Sequence, residues 1–124
     1  MQPGLDQASL NERERGTVER LVELLSEELG ADLRAVWLYG SRARGERPSP
    51  ESDVDLLIIA EGGWDRYERR AIELMFQAAD EQEIAPTWFS IKTFAPEWVE
   101  HRRSIRSFFI QEVDRDKVVL FGES

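Results

Sequence analysis

Two acidic residues at the start of a predicted strand are the strongest candidates for chemistry in this sequence. Asp53 and Asp55 stand two positions apart in the segment Ser52–Leu56. Alternation along a strand puts both carboxylates on one face, with Val54 and Leu56 on the other. Two neighbouring carboxylates repel each other, and hard oxygen ligands suit a cation such as Mg²⁺ or Mn²⁺. We therefore take Asp53 and Asp55 as candidate metal ligands and catalytic residues.

A turn that could hold phosphate lies upstream of this acidic pair. Gly40 and Ser41 follow an apolar run, and glycine lets the backbone come close to a ligand while N–H groups and a hydroxyl bind an anion. Arg42 and Arg44 come next, and their guanidinium groups suit phosphate oxygens. Metal-binding carboxylates beside such an anion site are what phosphoryl or nucleotidyl transfer requires.

Each of these features has a plainer structural explanation when it is taken alone. A strand that ends in Gly-Ser is commonly just a turn, and Asp-x-Asp is commonly a pair of solvated or capping carboxylates. Arg42, Arg44 and Arg47 with Glu46 could form an ordinary solvated loop. The combination is much rarer than its parts, because the Gly-Ser turn and the Asp-x-Asp pair are separated by a basic segment of only 11 residues.

On these residues the sequence resembles the polymerase-beta-like nucleotidyltransferase superfamily, in its minimal, antitoxin-type branch. The family signature is Gly-Ser after an apolar residue, a short gap, and Asp-x-Asp between apolar residues, and the match is close over Leu38–Ile59. The resemblance implies that Gly40 and Ser41 grip a nucleoside triphosphate such as ATP, with Arg42 and Arg44 near its phosphates. It also implies that Asp53 and Asp55 hold two Mg²⁺ ions.

The resemblance further implies an activity and a partner. The expected reaction is metal-dependent transfer of a nucleoside monophosphate, AMP from ATP, to a hydroxyl of a small molecule or a partner protein. A helical toxin-type protein is the implied partner. The alternative is a catalytically reduced antitoxin or regulatory module that neutralises a helical partner by contact.

One departure from the family pattern favours that alternative. Active members usually carry a third carboxylate on the next core strand, whereas the predicted strand Ile84–Ile91 contains no acidic residue. Glu81 and Glu83 lie just before it, and Thr87 and Ser90 are its polar residues. A hydroxyl is a poor base near neutral pH, so we expect nucleotide binding with slow or absent transfer by the isolated chain.

Apolar periodicity, glycine and proline predict the elements that position these residues. The predicted helices are Asn11–Leu29, capped by Ser9 with Glu12, then Trp64–Gln82, and a last helix from Pro96 that includes Trp98, Ile105, Phe108 and Phe109. The predicted strands are Ala35–Tyr39, Val54–Ile59, Ile84–Ile91 and Lys117–Phe121. This order predicts an α/β (α+β) fold with a small mixed central sheet of about four strands and helices packed on it, like the nucleotidyltransferase fold. We expect a single domain over residues 1–124, with residues 1–8 as a flexible tail.

Composition excludes several classes of protein. The chain has 124 residues, no cysteine and one histidine, which excludes disulfide scaffolds, cysteine-based zinc sites and cysteine nucleophiles. A net charge of -9 makes long nucleic acid an unfavourable partner. No apolar run approaches a membrane span and no signal peptide is visible, so we expect a cytoplasmic protein without membrane contact. The sequence is also compatible with assembly into a homo-oligomer.

Overall fold

The computed structural model describes residues 8–48 and 53–124 of the chain. Within these residues it holds four α-helices, four strands and two short 3-10 turns. In chain order they are helix α1 (Glu12–Leu29), the 3-10 turn Gly30–Asp32, strand β1 (Leu33–Tyr39), strand β2 (Val54–Ala60), helix α2 (Gly63–Glu81), the 3-10 turn Pro86–Trp88, strand β3 (Phe89–Phe94), helix α3 (Pro96–Ser104), helix α4 (Phe108–Asp116) and strand β4 (Val118–Gly122). The predicted tail, residues 1–8, falls outside the described residues except for its last position.

The strands form one mixed sheet in the order β3-β2-β1-β4. Strand β1 runs antiparallel to both β2 and β4, whereas β2 runs parallel to β3. The last residue of β1 and the first residues of β2 and β3 therefore meet at one end of the sheet, which we call the site end. The mixed sheet of four strands confirms the predicted fold class.

Helices cover both faces of the sheet because β1 and β2 are apolar on both sides. On the first face the strands pack against α1 and α2 in a buried core of Val36, Leu38, Leu56, Ile58, Leu21, Leu25, Leu74 and Ala78, among others. On the second face they pack against α3 and α4 in a smaller core of Trp37, Tyr39, Leu57, Ile59, Val99, Ile110 and Val113, among others. The alternation of the two cores along β2 places Asp55 on the second face.

Helix α1 is capped by Asn11 rather than by Ser9. The Asn11 side chain accepts from the Glu14 N–H at 2.8 Å, and the Asn11 N–H donates to the Glu14 carboxylate at 2.9 Å. This reciprocal pair is a complete capping box. The predicted box of Ser9 with Glu12 was wrong because Ser9 is used elsewhere: its N–H donates to the Arg42 carbonyl at 2.9 Å.

The third predicted strand begins later than the sequence pattern indicates. Ile84–Ile91 was expected to be extended, but Pro86–Trp88 forms a 3-10 turn and β3 runs from Phe89 to Phe94. Proline favours the first position of such a turn, since its φ is already fixed near the helical value. Residues 84–88 therefore lie outside the sheet, and the strand begins only at Phe89.

The last predicted helix is two helices. Helix α3 ends at Ser104, and Arg106 adopts a left-handed backbone with φ of 54°. Ser107 then caps α4 by accepting from the Ile110 N–H at 3.3 Å. A serine N-cap starts a new helix here, so the apolar stripe predicted along one helix is divided between two.

Candidate functional site

Asp55 lies at the site end of the sheet between two partner strands. It is paired with Tyr39 of β1 and with Ser90 of β3. Directly paired residues point to the same face of a sheet, so these three side chains share the face that carries α3 and α4. Asp53 immediately precedes β2 and is exposed. The structure thus brings the Asp-x-Asp pair together with the end of β1 and the start of β3.

Gly40 follows β1 and lies against Asp55. Its φ is 79°, in the region that favours glycine, and a Cβ built on it would lie 2.5 Å from Oδ2 of Asp55. A larger residue at this position would push directly on the carboxylate. The contact joins the Gly-Ser turn to the acidic pair, two features that the sequence separates by 11 residues.

The chain after Gly40 folds into a tight helical turn. The Gly40 carbonyl accepts from the N–H groups of Ala43 at 3.1 Å and Arg44 at 3.2 Å, and the Ser41 carbonyl accepts from the Glu46 N–H at 3.1 Å. Among the described residues, no bond that closes this turn is donated by Ser41. The N–H groups that close this turn belong to residues after Ser41. The Ser41 N–H and hydroxyl lie at the start of the turn and close none of these bonds.

The Asp55 carboxyl is half-buried and electrostatically strained. Burial raises its pKa, and the Asp53 charge raises it further, whereas Lys92 and Arg42 act in the opposite direction. A carboxyl whose ionised form is disfavoured by burial and by a like charge gains from a nearby cation. The two acids thus have the electrostatics of a cation site.

Tyr39 is a site residue that the sequence pattern did not single out. Burial, together with the Asp55 charge, raises the pKa of its phenol to about 12. Its ring packs edge-on against Phe109 of α4, with centroids 5.7 Å apart and planes at 86°. The phenol therefore stays neutral near pH 7 and forms an apolar wall beside Asp55. Its place at the end of an apolar strand resembled ordinary core, so no signal distinguished it.

Arg42 is buried. An arginine that binds phosphate from a basic loop was expected to be exposed. Only 2% of the Arg42 surface is exposed, and its Nη1 donates to the Glu14 carboxylate at 2.8 Å and to the Ser9 carbonyl at 3.1 Å. Glu14 is itself 5% exposed. These bonds tie the Gly-Ser turn to the start of α1. The charge of Arg42 still acts on Asp55.

Arg44 lies on the outer side of the turn. Its Nε donates to the Glu46 carboxylate at 2.6 Å, and its Nη1 lies 3.6 Å from a carboxylate oxygen of Asp116. Arg44, Gly40, Tyr39 and Phe109 are among the residues that line a small cavity of about 160 Å³ next to the acidic pair. Of the two predicted arginines, Arg44 is the one whose side chain borders open space at the site.

A larger hollow lies beside Arg42. Its volume is about 1040 Å³, and it is lined by the start of α1, by Arg42 and by Pro48, Ile84 and Trp88. Neither aspartate lines it. We therefore centre the candidate site on Asp55 and not on this larger hollow.

The position facing Asp55 on β3 is occupied by a hydroxyl. Ser90 is its paired residue, whereas Thr87 is exposed in the preceding 3-10 turn. Glu81 is bonded instead to Arg20, at 2.9 Å. No group of three or more acidic or histidine residues able to hold a metal occurs within residues 8–48 and 53–124. The register therefore resolves which polar residue of the predicted strand faces the acidic pair.

The donor set fits one hard divalent cation. Asp53 and Asp55 offer carboxylate oxygens, and Ser90 offers a weaker hydroxyl on the same face. Mg²⁺ typically takes one or two carboxylates and completes its shell with water and substrate phosphates. Gly40 leaves room beside the Asp55 carboxylate that a Cβ would fill. The residues present therefore suit Mg²⁺ or Mn²⁺ together with a phosphate ligand.

Across the described part of the chain, no helix is long and apolar enough to cross a membrane.

Comparison with known proteins places this geometry in a family. A family model described as a nucleotidyltransferase domain matches residues 18–113, a span that contains Gly40, Ser41, Asp53 and Asp55. No curated protein matches the chain by sequence.

Solved structures share the fold at low sequence identity. A mutant of the toxin–antitoxin MntA–HpeT, with two aspartates two positions apart replaced by glutamate, is 19% identical over 86% of this chain and 74% of that chain, with a TM-score of 0.53. A toxin–antitoxin with AMP-PNP is 21% identical over 86% and 74%, also with a TM-score of 0.53. A second MntA–HpeT mutant, with a tyrosine replaced by alanine, is 21% identical over 94% and 76%, at the same TM-score of 0.53.

Proposed function

Because the chain belongs to the nucleotidyltransferase domain family, we propose that it transfers AMP from ATP to a hydroxyl group of a small molecule or a partner protein. The observation that carries this proposal is the contact between Gly40 and Asp55 at the site end of the sheet. It brings the turn suited to phosphate against the carboxylate suited to a metal.

The reaction divides into roles that these residues can fill. The acceptor oxygen forms a bond to the α-phosphorus, the bond from that phosphorus to the oxygen bridging the β-phosphate breaks, and pyrophosphate leaves. The acceptor proton passes to water. Asp53 and Asp55 would hold Mg²⁺ or Mn²⁺, which supplies Lewis-acid stabilisation of the phosphate charge. Gly40 and Ser41 would take phosphate oxygens, and Arg44 would lie at the rim.

Arg42 would serve the same site from within the protein. Its guanidinium is bonded to Glu14 and to the Ser9 carbonyl, so its main effect would be to hold the turn against α1. Its positive charge would still favour ionised Asp55. We propose that Arg42 supports nucleotide binding through the shape of the turn.

A helical toxin-type protein is the partner we propose. The solved structures with this fold come from toxin–antitoxin systems, one of them with AMP-PNP. A hydroxyl of such a partner would be the acceptor where the substrate is a protein, and a hydroxyl of a small molecule is the other acceptor that the proposal allows.

Titration calorimetry and a pyrophosphate assay test the proposal together. We expect the unaltered chain to bind ATP more tightly with Mg²⁺ than without it. Asp53→Asn and Asp55→Asn should lose that metal dependence, whereas Asp65→Asn, an exposed acid at the start of α2, should keep it. Equal ATP affinity with and without Mg²⁺ would contradict the proposed site.

One observation favours a second candidate function. Ser90, and not a carboxylate, faces Asp55 on β3, which removes the residue best suited to act as a base. A module with such a site could bind nucleotide and regulate a helical partner by contact. Tight Mg²⁺–ATP binding without pyrophosphate release, even with candidate acceptor proteins present, would support this second function over catalysis.

A further inference from the structure

Lys92 is a cation near the acidic pair that the predicted nucleotide-binding residues do not include. It lies on β3 two residues beyond Ser90 and is paired with Leu57 of β2. Because Leu57 belongs to the core of the second face, Lys92 extends from the same face as Asp55. Its side chain is exposed, so the ammonium group is reachable from solvent.

The charge of Lys92 reaches the site. It acts on Asp55, where it opposes the rise in pKa that burial and Asp53 cause. None of the ion pairs among the described residues involves Lys92. The other lysine of the chain, Lys117, is by contrast bonded to Asp114 at 2.6 Å. Lys92 therefore presents a positive charge near two carboxylates without a carboxylate partner of its own within 4.0 Å among those residues.

We propose that Lys92 binds a phosphate group of the nucleoside triphosphate from β3, on the opposite side of Asp55 from Gly40. The assignment rests on the proposed function. It follows from strand order, because β2 lies between β1 and β3 and its acidic pair is flanked by the Gly-Ser turn on one side and Lys92 on the other. A lysine ammonium is a compact, mobile charge that suits a phosphate oxygen.

This arrangement gives one charge opposite effects on two ligands. A divalent cation alone is repelled by Lys92, because both are positive. A triphosphate is attracted, because its charge is negative. At the side-chain separations of neighbouring strands, one unit charge changes either affinity by about threefold to tenfold in an exposed setting.

An exposed lysine on an edge strand also has an explanation that involves no ligand. Edge strands commonly carry lysine to discourage pairing with another chain, and β3 is at the edge of the sheet. That role alone predicts no change in ligand affinity when the lysine is removed. Ligand titration therefore separates the two explanations.

The experiment compares Lys92→Gln with the unaltered chain using two probes. Titration with Mn²⁺ alone should show tighter binding in Lys92→Gln, by about threefold. Titration with a non-hydrolysable ATP analogue in saturating Mg²⁺ should show weaker binding, by about fivefold. Lys92→Arg, which keeps the charge, should leave both affinities near those of the unaltered chain.

Arg69→Gln is the matched control. Arg69 is an exposed cation on α2, with a side chain 95% exposed, and its removal should change neither affinity. Unchanged affinities in Lys92→Gln, in a chain that binds the analogue, would overturn the inference and leave the proposed function intact. Absence of analogue binding by the unaltered chain would overturn the proposed function, and the inference with it.

Discussion

The fold itself requires glycine at position 40, independently of any bound ligand. A Cβ here would meet Oδ2 of Asp55 at 2.5 Å, and the φ of 79° disfavours other residues independently. We expect Gly40→Ala to lower the free energy of unfolding by about 2–3 kcal/mol, of which about 1 kcal/mol is the backbone term. In an Asp55→Ala background only that backbone term should remain. Urea unfolding of the two single variants and the double variant measures the coupling.

Gly30→Ala controls for the backbone term alone. Gly30 also has a positive φ, 54°, but no atom lies within 4 Å of where its Cβ would be. Its substitution should therefore be independent of Asp55. If Gly40→Ala proved equally destabilising with and without the Asp55 carboxylate, the two residues would not be in contact, and the observation that carries the proposed function would be refuted.

Asp55 makes stability depend on pH in a direction opposite to that of acids such as Asp114, whose pKa is lowered in the folded protein. The pKa of Asp55 is raised above the ordinary 3.8, so its favourable contribution is complete below that pH and is lost as pH rises through the raised pKa. Asp55→Asn should therefore be more stable than the unaltered chain near pH 7. The difference should vanish as the pH falls below 3.8. Unfolding by urea across a pH series measures it.

Asp114 provides the comparison of opposite sign. Burial alone would raise its pKa, but bonds from Arg103 and Lys117 hold it below the ordinary value. Its contribution is therefore present above pH 3.8 and is lost as the pH falls through the lowered pKa. Asp114→Asn should be less stable than the unaltered chain at neutral pH. Parallel pH curves for the two variants would refute this account of Asp55.

At the residue scale, the acidic pair and the Gly-Ser turn could be predicted from the sequence because each motif spans only two or three consecutive positions. Their roles in binding remain predictions. It could not place Arg42, since the partner that buries this cation is Glu14, which lies in a different element. It also passed over Lys92, since only the register of β3 against β2 brings that residue onto the face of Asp55.

A buried ion pair between Glu14 and Arg42 joins helix α1 to the Gly-Ser turn. Removing one partner of a buried ion pair takes a charge-assisted hydrogen bond from a group that water does not reach, which destabilises a fold by about 3–5 kcal/mol. We therefore expect Glu14→Gln to lower the free energy of unfolding by about 3 kcal/mol and to speed amide exchange in the turn. Chemical unfolding and hydrogen exchange measure the two effects.

The exposed pair between Arg20 and Glu81 is the matched control for that experiment. Its atoms are 2.9 Å apart, but both side chains are more than a third exposed. Glu81→Gln should therefore change stability by less than about 1 kcal/mol. A loss of similar size in both variants would show that Glu14 does not act through burial.

The register of β3 predicts where a third carboxylate would restore a fuller metal site. Ser90 faces Asp55, whereas Thr87 lies in the turn before the strand. Ser90→Asp should strengthen Mn²⁺ binding by roughly tenfold, because affinity rises with the number of carboxylate ligands. It should also speed pyrophosphate release from ATP. Thr87→Asp should do neither, and equal effects of the two would show that the pairing register is wrong.

The elements that sequence reasoning missed are those decided by the rest of the fold. Periodicity found α1, α2, β1 and β2, whose apolar patterns are long. It did not find the break at Arg106, because Trp98 and Phe109 are compatible with one continuous stripe. It placed the start of β3 too early, because residues 84–88 have strand-like composition but lie outside the sheet, with Pro86–Trp88 in a 3-10 turn. Both errors concern short segments, where local preference is weak.

For the whole molecule, fold class was accessible from the sequence because the central strands are apolar on both faces and alternate with amphipathic helices. Strand order was not. Only the structure shows β1 between β2 and β4, with β3 at the edge. That order determines which side chains surround the acidic pair, so the site could be predicted as a motif but not as a complete set of neighbours.

The mixed sheet also implies an order of assembly in time. Strands β1 and β2 are close in sequence, so the contact of Gly40 with Asp55 closes a short loop, whereas β3 joins β2 only after the whole of α2 has formed a crossover. Short loops close first at lower entropic expense. The metal-binding half of the site should therefore form during folding before Lys92 arrives. In stopped-flow kinetics, Leu38→Ala in β1 should slow folding, whereas Ile91→Ala in β3 should chiefly speed unfolding.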